Sequence, residues 1–110
     1  MKLAIENTVK VPVNINLNSA GKTVNHNFSL IANRYDQEQL RSMIDDGERK
    51  VGDVVKDVVT GWSGQKLVTD EGGAPVEFSA EALDILLTVP GMANVIYQSW
   101  LSEIGAKVKN

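Results

Sequence analysis

The chain contains no cysteine and a single histidine, His26, among 110 residues. The first absence excludes a disulfide scaffold, a thiolate metal site and a cysteine nucleophile together. The second leaves one candidate imidazole for acid–base work, and a general base needs a positioned partner. An excess of positive charge is missing too. A net charge of −3 and an isoelectric point near 5.0 argue against a phosphate-binding face, so no nucleic-acid partner is expected. No apolar run approaches the ~20 residues that span a bilayer, and none follows the lysine in MKLAIENTVK, so neither membrane insertion nor a secretory signal is expected. Prolines number three, at positions 12, 75 and 90. The balance of 43% hydrophobic and 23% charged residues suits one domain over 1–110, with a modest core and no linker or repeat.

Alternation marks the first third of the chain. Val9, Val11, Val13, Ile15 and Leu17 alternate with Lys10, Pro12, Asn14 and Asn16. After NSAGKT, the residues Val24, His26, Phe28 and Leu30 alternate with Asn25, Asn27 and Ser29. Period two over this length predicts a β-hairpin across 9–31. Pairing Leu17 with Val24, Ile15 with His26 and Val13 with Phe28 places the apolar side chains on one face, and a slip of one residue would turn that set to water. Pro12 cannot donate to a ladder, which puts the first arm at a sheet edge.

Helical spacing follows. Asp36 and Gln39 form a candidate capping box, with Leu40, Met43 and Ile44 inward and Gly47 as the stop. Val51, Val54, Val55, Val58, Val59 and Trp62 then fall at the spacings of one helical stripe, although valine is a poor helix former. Gly61 and Gly64 are expected to end that helix around Trp62. The segment DEGG at 70–73 is turn chemistry between two short extended pieces. Ser79 is a candidate N-cap with Glu81 in the first turn, and Ala82, Leu83, Leu86 and Leu87 make the buried stripe. Pro90 is expected to end this helix and to sit in the first turn of the next. A last stripe runs through Val89, Ala93, Ile96, Tyr97, Trp100 and Ile104, before a tail at 105–110. The expected fold is α+β: an N-terminal antiparallel hairpin (1–33) packed on a mostly helical part (34–110) of about four helices, with a turn-rich extended joint near 63–78.

Catalytic and ligand-binding constellations are hard to assemble from these residues. His26 falls on the apolar face of a strand and reads as a partly buried structural residue. Asp45 and Asp46 are consecutive, so they point to different faces of a helix end. The window from Asp70 to Glu81 begins and ends like a calcium loop. Its third, fifth and sixth positions, however, hold Gly72, Ala74 and Pro75, which removes two ligands and the glycine of the sharp turn. The phosphate-loop pattern GxxxxGK[ST] is absent. No catalytic, metal or cofactor site is therefore expected. Apolar helical surface remains: Met92, Ile96, Tyr97, Trp100 and Leu101 either fill the core or present a face of the last helix to a protein partner, where aromatic side chains make good anchors.

The order of these features resembles the tail assembly chaperones of long-tailed bacteriophages. The residues that carry the resemblance are Val58-Val59-Thr60-Gly61-Trp62, then Asp70-Glu71-Gly72-Gly73 with Pro75-Val76, then Phe78-Ser79, Glu81 and Leu83. It continues through Leu86-Leu87, Pro90-Gly91-Met92 and the closing aromatic helix. It covers the chain from Arg34 to the C-terminus. In this reading Trp62, Asp70, Gly72, Pro75, Phe78, Ser79 and Pro90 form a structural joint. The resemblance implies a protein without catalysis or cofactor that binds the tape measure protein, keeps it soluble and promotes tube polymerisation. The tail tube protein and further copies of the chain are additional partners it implies. The implied location is the host bacterial cytoplasm, with the chain leaving before the virion matures. Two other classes fit the same residues: a structural or minor tail protein of the virion, and a generic interaction adaptor.

Overall fold

The computed structural model describes residues 5–47 and 49–105. Its order is β1 (Thr8–Ser19), β2 (Lys22–Asn33), α1 (Gln37–Asp45), α2 (Val51–Val58), β3 (Val59–Ser63), α3 (Ala80–Leu86) and α4 (Met92–Ile104). The strands form one antiparallel sheet in the order β1-β2-β3, with helices against one face. This is the α+β arrangement of hairpin and helices expected from the sequence, with a third strand added.

The hairpin adopts the register its apolar pattern demands, with Leu17 opposite Val24, Ile15 opposite His26 and Val13 opposite Phe28. Its loop is Ala20-Gly21, with φ of 53° and 84°. Positive φ at both central residues gives the tight reversal whose twist matches the flanking strands. Asn18 accepts a hydrogen bond from the Gly21 amide at 3.1 Å, fixing the approach to the turn. Pro12 lies on β1, which is an edge strand. His26 is half-buried.

The core sits between the inner sheet face and the helices. Val9, Val11, Val13, Leu30 and Ala32 from the sheet meet Val54, Val55 and Val58 from α2, Leu83 and Leu86 from α3, and Met92, Ile96 and Trp100 from α4. Burial fades along the hairpin. Val11 and Val13 are covered, Ile15 and Leu17 are half-covered, and Val24 is 40% exposed. The loop end of the hairpin thus projects beyond the body, in keeping with overall extents of 50 × 36 × 25 Å.

Three expectations need correction here. The valine stripe is not one helix: α2 ends at Val58, and residues 59–63 form β3 against β2. A β-bulge explains the deception. The register shifts between Ile31 and Ala32, so Val59 and Trp62, three residues apart, both turn toward the core. That spacing imitates a helix. The first helix stops at Asp45, capped by Asp46 rather than by Gly47, and it leaves Ile44 66% exposed instead of inward. Pro90 lies outside the first turn of α4, whose N-cap is Gly91 at φ 83°. Left-handed backbone favours glycine there and reverses the chain between the last two helices. The caps at Asp36 with Gln39, and at Ser79 with the Ala82 amide, form as the sequence predicts. Of the expected tail at 105–110, residues 106–110 lie outside the described residues.

Candidate functional site

The residues of the expected joint come together around a small amide core. Gln65 is 3% exposed, the one buried polar residue among those described. Its carbonyl oxygen accepts from the amides of Leu67 and Val68 at 3.0 and 2.8 Å, and its Nε2 donates to the carbonyls of Val68 and Val76 at 3.0 and 3.1 Å. One side chain thus satisfies four backbone groups of a segment without regular structure, which buried backbone requires. Trp62 donates from Nε1 to the same Val76 carbonyl at 3.2 Å and meets Phe78 edge to face, with ring centroids 5.2 Å apart.

The acidic turn at 70–73 is held by its own aspartate. Asp70 Oδ1 accepts from the amides of Gly72 and Ala74 at 2.9 and 3.0 Å, and the Asp70 amide donates to the Ala74 carbonyl at 2.9 Å. Thr69 and Pro75 face each other across a short antiparallel bridge. A carboxylate folded onto its own loop is occupied with structure, in the manner of an Asx turn. Ser79 then starts α3. Trp62, Asp70, Gly72, Pro75, Phe78 and Ser79 therefore share one structural unit, with Pro90 apart in the turn before α4. Sequence reasoning missed Gln65, since a lone glutamine in a polar stretch carries no signal that it is buried.

The residues proposed for a partner divide differently. Met92, Ile96 and Trp100 are 1%, 0% and 1% exposed, facing the sheet and neighbouring helices. Trp100 also donates from Nε1 to the Asn33 carbonyl at 2.9 Å and packs edge to face on Tyr35. These three belong to the core and present nothing to a partner in this conformation. The reason is the sheet: α4 lies across β1, and its most apolar stripe is consumed there. Tyr97 and Leu101 are half-buried at its margin.

Tyr97 leads to the surface feature that sequence reasoning did not find. Together with Met43, Ile44, Asp46, Arg49, Val51 and Val54 it lines a groove of about 200 Å³ between α1, α2 and α4. Arg49 pairs with Asp57 of α2. A second depression, of about 520 Å³, runs beside α1 and is lined by Tyr35, Glu38, Gln39, Ser42, Met43, Asp46 and Arg49. Both depressions mix apolar and charged lining residues, a composition that protein interfaces share. Among the described residues, no group of three or more His, Asp or Glu side chains is placed to hold a metal ion. No helix among them is long and apolar enough to cross a membrane. No family model, curated protein or solved structure matches the chain.

Proposed function

We propose that this chain is a tail assembly chaperone of a long-tailed bacteriophage, a non-catalytic protein that binds the tape measure protein in the host cytoplasm. It keeps that client soluble while the tube polymerises and is absent from the finished virion. The observation that carries the reading is the spatial unity of the residues behind the resemblance. Trp62 and Gln65 both donate to the Val76 carbonyl, Phe78 packs on Trp62, and Ser79 then caps α3. A sequence pattern that packs as one unit supports a shared architecture better than the same residues scattered would.

The client surface in this reading is the groove at Ile44, Val51 and Tyr97, with the buried Val54 behind it. Tape measure proteins are read here as long helical clients, and an apolar helix face seated in a groove is a recurrent recognition mode. Ile44, 66% exposed, is the anchor that costs the free protein most to leave in water. An acidic surface, with net charge −3, keeps many copies on one client mutually repulsive and soluble.

The test is co-expression of the tagged chain with the large coiled-coil-rich protein encoded beside it. Soluble, stoichiometric recovery of that client is expected. Ile44→Lys should abolish recovery and leave the circular dichroism spectrum unchanged, because exposed positions tolerate substitution to within about 0.5 kcal/mol and a cation suits the last turn of α1. Recovery of the chain alone would sink the proposal. Presence of the chain in purified virions would instead make it a structural tail component.

A further inference from the structure

Resting on the client surface proposed above, we infer that its groove takes a cationic amphipathic helix, a segment whose apolar stripe is bordered by lysine or arginine. Three depressions meet at Asp46 and Arg49, which line all of them. The first holds the apolar contacts, with Ile44 exposed and Val51 and Tyr97 half-buried. The second runs along α1 past Glu38, and the third crosses α2 past Asp53, Lys56 and Asp57.

Charge sets the sign of the partner. The joint lining carries four carboxylates, Glu38, Asp46, Asp53 and Asp57, against two cations, Arg49 and Lys56, a net charge of −2. Both cations already face carboxylates: Arg49 pairs with Asp57, and Lys56 with Asp84 at 3.2 Å. α1 adds to the same sign. Its C-terminal end lies at Ile44 and Asp46, and its last turn holds Asp45 and no base. The negative end of a helix dipole attracts cations. Apolar contacts set in such a potential select a partner with positive flanks and reject one with acidic flanks.

The walls decide the partner's secondary structure. Every lining residue belongs to α1, α2 or α4, or to the segments just before α1 and between α1 and α2. No strand edge borders the groove, so an added strand has no ladder to join and side chains must carry the recognition. A helix presents an apolar stripe with charged borders at the required period. A second copy of this chain does not qualify. Among the described helices, α1 carries Glu38, Arg41 and Asp45, and α2 carries Asp53, Lys56 and Asp57. α3 carries Glu81 and Asp84, and α4 carries Glu103. Each is net negative, and none supplies cationic borders.

The experiment uses the purified full chain and two labelled helical peptides of about 18 residues, read by fluorescence anisotropy. Both carry one leucine stripe; lysine borders it in the first and glutamate in the second. The lysine peptide should bind at least about tenfold more tightly at ~50 mM salt, and the difference should shrink at ~500 mM. Ile44→Ser should weaken its binding without altering the salt dependence. Glu38→Gln combined with Asp53→Asn should weaken it about threefold to tenfold. Glu71→Gln combined with Glu77→Gln removes the same charge outside the groove and should change nothing. No binding of the lysine peptide, no preference over the glutamate peptide, or equal losses from the two double variants would each overturn the inference. Recovery of the tape measure protein without a lysine preference would remove this inference alone. A lysine preference without recovery of that client would instead remove the client's identity and leave the groove's selectivity standing.

Discussion

Trp100 fills the centre of the core and also closes a hydrogen bond, so two separate losses add when it is removed. Its indole is 1% exposed, donates to Asn33 at 2.9 Å and packs on Tyr35 with centroids 5.3 Å apart. Trp100→Ala should cost about 3–5 kcal/mol, read as a lowered urea midpoint. Lost partner binding in that variant would report unfolding and not a docking surface, which is why Ile44 is the better probe. Gln65 shows the same logic in polar form. Gln65→Leu preserves bulk but strands the Leu67 and Val68 amides that its oxygen now serves at 3.0 and 2.8 Å. Each buried group left without a partner costs about 1–3 kcal/mol, so a loss of about 3 kcal/mol is expected in the same assay. The asymmetry in legibility between these two residues is physical. A tryptophan at helical spacing announces burial by its size, whereas a glutamine is usually found at the surface and only the fold reveals the four backbone groups it serves.

At the scale of elements, constraint decides what could be read. The hairpin was legible to the residue because period two leaves one register that buries Val11, Val13, Phe28 and Leu30 together. The caps at Asp36 and Ser79 were legible because an orphan amide needs a short polar side chain. The turn from α2 into β3 was not, since a bulge opposite Ile31 and Ala32 lets Val59 and Trp62 mimic a helical stripe. Ile44 was misplaced for a related reason: helical spacing counts faces, but α1 touches the body along a narrow line and buries Met43 alone. α2 carries a weakness that sequence and structure agree on. Gly52 lies within its first turn, with open space where a Cβ would stand. Glycine in a helix loses about 0.5–1 kcal/mol against alanine, and nothing here requires it. Gly52→Ala should therefore raise the thermal midpoint, with the gain confined to stability and the groove unchanged.

The whole molecule has two parts of unequal firmness, and the candidate groove lies on their boundary. The sheet, α2, α3 and α4 share one continuous core, and Arg34 ties its ends by donating to the carbonyls of Glu6 and Ile104 at 3.2 and 3.4 Å. α1 stands apart, with nine residues, one buried side chain and a well-made N-cap. A helix that short is marginal in water by itself. Its local opening should therefore be far easier than global unfolding, by at least about 2 kcal/mol in native-state hydrogen exchange. Amides of 40–45 should lose protection at denaturant concentrations that leave Val11, Val13 and Leu30 untouched. This follows from burial alone, yet it bears on function, because Met43 and Ile44 of α1 form one wall of the groove. A client seated there would clamp α1 and raise the protection of its amides selectively, leaving the strands as they were. If α1 instead exchanges together with the sheet, it belongs to the cooperative core, the groove is rigid, and a client must fit it as it stands.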